Sequence, residues 1–178
     1  MKRCMLGILI LGVLLSFVGC TANVSGESEE NPFAFLNGPF TLSGVLSVSD
    51  SDYGIVLTSP DGKTGKVTFQ APESMEGYVF EKANDGFYVS YGDLRVPFSA
   101  NKLPGGIGRL FSLLSLDVVN LEASEVRANG IEMKVYTLAL GADQTLKMYF
   151  RKSDGVPLRA EFNAHGANAI FHIQKAEY

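Results

Sequence analysis

The sequence predicts a mainly β fold of the α+β type, an antiparallel meander with one apolar helix on its concave face. Three observations predict it. Runs such as Leu146–Arg151 alternate apolar with charged or polar residues. Asp61-Gly62, Asp85-Gly86 and Asp154-Gly155 separate such runs, and Asp-Gly between alternating runs marks a hairpin. Between Leu103 and Leu116 the apolar period changes from two to that of a helix.

The chain starts with Lys2 and Arg3, followed by Met5–Val18, where Ser16 is the sole polar side chain. That run is shorter than the ~20 residues a membrane-spanning helix needs and suits a signal-peptide core. The residues Leu14, Phe17, Val18, Gly19 and Cys20 resemble a bacterial lipobox, with Phe17 where Leu is preferred. The resemblance implies a diacylglycerol thioether on Cys20 and cleavage before it. The freed amine is then open to a further acyl chain such as palmitate. A thiol is required because sulfur is the nucleophile that takes the lipid. Residues 1–19 are then a signal peptide. Cys4, the other of two cysteines, leaves with it. The body would have no disulfide and no thiol metal site, and its stability must come from an apolar core. The formal charge is −4 and becomes more negative without Lys2 and Arg3. An acidic body argues against nucleic acid and against electrostatic docking on anionic lipid. The expected protein is exported and held to the membrane by lipid on Cys20. It faces outward from the cell membrane, or sits on the outer membrane if the cell has two.

Thr21–Asn31 is polar and acidic with no apolar period, so residues 20–38 read as the lipidated cysteine and a flexible tether. Residues 39–178 read as a single domain. Phe40, Leu42, Gly44 and Leu46 alternate with polar or small residues. Gly54–Ser59, Lys66–Ala71, Tyr78–Lys82 and Phe87–Tyr91 follow as strands. After the helical stretch, Leu146, Met148 and Phe150 face one way, and Lys147, Tyr149 and Arg151 the other. Leu158, Ala160 and Phe162 oppose Arg159 and Glu161 in the same manner. Charges on one face mean a sheet of about ten strands with one wet side. In the helix, Ile107, Leu110, Phe111 and Leu114 fall at i, i+3, i+4 and i+7, and Leu113 and Leu116 widen the stripe. Arg109 is its only charge. So apolar a helix must be covered, most simply by the hollow of the sheet.

Candidate chemistry is sparse. His165 reads as a turn residue and His172 as part of the final strand. Their spacing suits no compact metal motif, so no metal or cofactor is expected. Asp50–Gly54 reads as a turn, because the ligand spacing of a calcium loop is incomplete. Gly105–Gly108 lacks the strand and the lysine of a phosphate loop. No serine elbow is present and no catalytic set is expected, so the chain reads as a non-enzyme. The aromatics Phe69, Tyr78, Phe80, Phe87, Tyr88 and Tyr91 read as core or as a ligand wall. Ile107, Leu110, Phe111 and Leu114 are either a fixed plug or a lid over a lipid site. Gly105, Gly106 and Gly108 would be the hinge of such a lid.

The order of the lipobox, a meandering sheet, "VTFQAPESMEGYVF", "LPGGIGRLFSLL" and "MYFRKSDGVPLRAEF" resembles the lipoprotein-carrier superfamily, from about Pro39 to Tyr178. Pro72 matches the proline ending the family's third strand, and Glu73–Glu76 stand where the carriers have a basic residue. The resemblance implies an open half-barrel whose apolar hollow receives acyl chains under a helix. The expectation is a monomer that binds an acyl chain or lipidated partner. The alternative is a cell-envelope interaction module with a packed core and no small ligand.

Overall fold

The computed structural model describes residues 31–99, 102, 105–116, 118, 121–164 and 167–178. Cys20, with the rest of residues 1–30, and His165 lie outside the described residues. Eleven antiparallel strands are present among those described: β1 (Phe40–Val48), β2 (Ser51–Ser59), β3 (Gly65–Ala71), β4 (Tyr78–Ala83), β5 (Gly86–Tyr91), β6 (Leu94–Phe98), β7 (Ala123–Ala128), β8 (Ile131–Gly141), β9 (Gln144–Arg151), β10 (Pro157–Ala164) and β11 (Ala167–Glu177). Helix α1 (Gly105–Leu110) continues as a 3₁₀ turn, Phe111–Leu113.

The strand order is β6-β5-β4-β3-β2-β1-β11-β10-β9-β8-β7. The first and last strands therefore pair at the centre, and β6 and β7 are the two edges. The segment joining β6 to β7 must pass from one edge to the other across a face of the sheet. Its apolar stripe selects the face that forms the core. The sheet is a curved, open half-barrel with that helix on its concave side. Register shifts at Ser43/Gly44, Gly54/Ile55, Pro157/Arg159 and Ala139/Gly141 supply bulges, which bend a sheet.

Alternation sorts the two faces. Leu46, Phe171, Ala160, Met148 and Tyr136 are successive cross-strand partners and all are buried. Leu42, Leu57, Val67 and Phe80 continue the buried face through the other half. The convex face of β9 and β10 carries Tyr149, Arg159 and Glu161, with Arg159 paired to Glu161 at 2.5 Å. The three Asp-Gly pairs lie at hairpin connections, as expected. At Asn129-Gly130 both residues have positive φ (50° and 79°), the backbone a tight β7–β8 hairpin needs.

Three expectations change. The domain begins at Asn31, not Pro39: Phe33 and Leu36 are buried on either side of the start of a 3₁₀ turn, Ala34–Asn37. The Phe33 ring meets Tyr136 and Phe150 edge-on, at centroid distances of 5.6 and 5.2 Å. Segment 31–38 is therefore part of the core rather than of a tether. Ser51–Gly54 is already strand, and the turn there is confined to Ser49 and Asp50. At the start of β10 the bulge buries Pro157 and leaves Leu158 half-buried. Because Phe33 is enclosed, Phe33→Ala should destabilise the fold by about 3–5 kcal/mol in denaturant titration. A loss below ~0.5 kcal/mol, the usual size for a surface site, would return it to the tether.

Candidate functional site

Helix α1 packs in the trough against β1 and β11. Its start touches β1 at Gly106. A Cβ built there would lie 2.4 Å from Val48 Cγ2 and 3.2 Å from Leu46 Cδ2. Glycine is needed for this close approach, whatever else it permits. Beyond the helix, Leu114 packs on Gly65 of β3, where an added Cβ would stand 2.8 Å from Leu114 Cδ1. Leu110, Leu113 and Leu114 are fully buried, and the Phe111 ring lies 5.8 Å from that of Phe87. The centre of the trough is thus filled by packed side chains.

Polar contacts fix both sides of the helix. Arg109 reaches the carbonyl oxygens of Phe162 and Ala164 on β10, each at 3.5 Å. The Lys82 ammonium, on the inner face of β4, donates to the Leu114 carbonyl at 2.6 Å and to Ser115 Oγ at 2.8 Å. A cation on a helix's last carbonyls answers the negative end of its dipole. Burial pushes the Lys82 pKa below its ordinary 10.5, partly opposed by the Asp61 carboxylate.

At the start of α1 the packing is incomplete. A half-open cavity of about 290 Å³ is lined by Leu46 and Val48 of β1, Tyr53 of β2, Phe69 of β3, Met75 of the β3–β4 loop, and Gly106 and Ile107. No charged side chain among the described residues lines it, and its size is near the lower end of the ~300–1,000 Å³ typical of ligand pockets. A second cavity, of about 220 Å³, lies at the other end of the sheet and is lined by Asn37, Asp61 and Lys63 beside Leu36, Gly62, Ser115 and Leu116. Its mixed, charged wall does not suit an apolar chain.

The four helix residues singled out from sequence, Ile107, Leu110, Phe111 and Leu114, all lie in the buried core, and Ile107 also lines the apolar cavity. Gly106 lines the cavity, and Gly105 and Gly108 lie within α1. Phe69 lines the cavity too. Phe80 is buried, and Tyr78 and Phe87 are half-buried against the core. Tyr88 points to the convex side, where it donates to Asp85 and lies under Arg95, and Tyr91 is exposed. Sequence reasoning missed Val48, Tyr53 and Met75. An apolar Met inside "PESMEG" was the one local signal for them. His172 is exposed on β11. Among the described residues no group of three or more His, Cys, Asp or Glu is placed to hold a metal ion.

No protein-family model matches the chain, and no curated protein matches it in sequence. Solved structures of similar form exist. A LolA superfamily protein from Nitrosomonas europaea is 11% identical, covering 79% of this chain and 86% of its own, with a TM-score of 0.41. A conserved protein from Thermus thermophilus is 15% identical over 80% of this chain and 79% of its own, with a TM-score of 0.48. A chain of the Pseudomonas aeruginosa MucA/MucB complex is 13% identical, with a TM-score of 0.43. The match covers 83% of this chain and 54% of that one.

The Lys82 contact sets a pH dependence. Its folded-state pKa is lowered, so between that value and 10.5 the unfolded chain holds more protons than the folded one. Stability then rises with pH through that window. Measured against Lys82→Met, the wild type should gain stability as pH climbs toward 10.5. Parallel pH profiles for the two would contradict the placement of this ammonium.

Proposed function

We propose that the protein is a non-enzymatic, lipid-anchored component of the cell envelope that binds one apolar chain, from a lipid or a lipid-modified protein, beside the start of α1. The observation that carries this reading is the 290 Å³ cavity with its mainly apolar wall. It has room for part of an acyl chain, the remainder lying along the concave face. The weakness of the helix start supports the reading. Three of the six residues of α1 are glycine, each costing about 1 kcal/mol relative to alanine in a helix. Such a helix is held mainly by its packing, so its first turn can give way to a ligand while Leu113 and Leu114 stay seated. Gly105, Gly106 and Gly108 then act as the hinge and Ile107 as the gate. The anchor is the lipobox cysteine, Cys20. The rival reading, an interaction module with a packed core, draws on the full burial of Leu110, Leu113 and Leu114.

Uptake of an uncharged fluorescent acyl ester by the body, residues 21–178, separates the two. One-site binding is expected. Ile107→Trp, which fills the cavity, should weaken it at least tenfold with little change in melting temperature. Labelled fatty acid should be incorporated in cells by the wild type and not by Cys20→Ser. No uptake by the wild-type body would leave the packed module, and equal labelling of Cys20→Ser would remove the anchor.

A further inference from the structure

The apolar cavity lies at the end of the sheet formed by the β1–β2 turn, the β3–β4 loop and the β5–β6 turn. Those stretches read Ser-Asp-Ser-Asp-Tyr (49–53), Pro-Glu-Ser-Met-Glu-Gly (72–77) and Tyr-Gly-Asp-Leu (91–94), without a Lys or Arg. Asp50, Asp52, Glu73, Glu76 and Asp93 are exposed there. Glu73, Glu76 and Asp93 make no ion pair among the described residues. Arg95, the nearest cation along the chain, is paired with Glu81 at 3.3 Å and lies over Tyr88 on the convex side.

Among these carboxylates the concave face is left uncovered. Tyr91, Leu94 and Val96 are 55%, 64% and 37% exposed. Tyr91 and Leu94 are cross-strand partners, and Tyr91 stacks on Tyr78 at 4.7 Å. A row of packed rings links the cavity to the uncovered face. Tyr53 and Phe69 line the cavity, and from them edge-to-face contacts run through Phe80 to Phe98 on the edge strand, at 5.6, 5.9 and 6.0 Å. The β3–β4 loop closes on the same strip: Met75 lines the cavity, and a Cβ on Gly77 would lie 3.4 Å from Tyr91. The result is an apolar strip bordered by negative charge.

An uncovered apolar strip of this kind marks a contact surface. Its charge selects the occupant. An anionic lipid surface or an acidic peptide is repelled, whereas lysines and arginines are attracted and steered. We propose that this end of the half-barrel docks a segment of a partner polypeptide that carries Lys or Arg around an apolar anchor. The anchor enters the cavity beside Ile107, and the cations meet Glu73, Glu76 and Asp93. The proposal rests on the reading above that the cavity is the ligand site, and it specifies what accompanies the apolar group.

The test uses the full chain in zwitterionic nanodiscs, with empty discs as blank, and fluorescence anisotropy of two labelled peptides. Both peptides carry a central Phe-Leu pair, one flanked by lysines and one by glutamates. The lysine peptide should bind at least tenfold more tightly, and its affinity should fall with added salt. The combined variant Glu73→Lys, Glu76→Lys, Asp93→Lys changes only exposed residues. It should lose about tenfold for the lysine peptide and keep its affinity for the uncharged acyl ester. Equal binding of both peptides, an unchanged lysine-peptide affinity in the variant, or preferential binding of anionic over zwitterionic vesicles would overturn the proposal. Lysine-peptide binding with no uptake of the acyl ester would uphold the docking site and discard the acyl-chain reading alone.

Discussion

The structure depends on one topological constraint: the two ends of the meander pair with each other at the middle of the sheet. With β1 against β11, the connection from β6 to β7 must travel from edge to edge, and an unclosed sheet has an apolar face to hide. The connecting segment meets both demands at once. Its sequence is too apolar to stand in water and, with three glycines in six residues, too weak to be a helix by itself. It becomes one by packing in the trough. Gly106 against Val48, Leu114 on Gly65, Arg109 on the β10 carbonyls and Lys82 on the Leu114 carbonyl are the means of attachment.

The covering helix is shorter than the hollow beneath it, and the two ends differ in consequence. Where the β2–β3 and β9–β10 connections lie, Phe33 and Leu36 complete the core ahead of β1. At the other end nothing equivalent among the described residues fills the space between Ile107 and β1–β3, and the cavity remains. Plug and lid are therefore not exclusive descriptions of this segment. Phe111, Leu113 and Leu114 are core by burial, while the glycine-rich first turn borders the open space. A ligand there would compete with few native contacts, which suits reversible binding.

The legible part of the fold was the part written in local patterns. The Asp-Gly hairpins, the alternation along β9 and the helical spacing from Ile107 to Leu114 each reflect a period or a turn geometry set by neighbouring residues. What stayed hidden depends on distant residues. Phe33 and Leu36 sit in a short, polar-flanked stretch, and only the rings of Tyr136 and Phe150 across the fold make them core. The bulge that buries Pro157 instead of Leu158 is a matter of register with β9. The cavity is assembled from β1, β2, β3, a loop and α1, so no single window of sequence contains it. The helix pattern pointed to the right segment, yet of four residues of one stripe, all buried, Ile107 alone also borders the cavity. Periodicity gives the face of a helix and not the depth of what lies opposite.

The most direct measurement of the central claim is photo-crosslinking of the body, residues 21–178, with an uncharged acyl ester bearing a diazirine along its chain, followed by mapping of the modified residues. The account predicts adducts concentrated at Met75, Ile107 and Phe69, with none on convex residues such as Lys147 and Thr68. Adducts spread evenly over both faces, or confined to the polar cavity near Asp61 and Lys63, would contradict it.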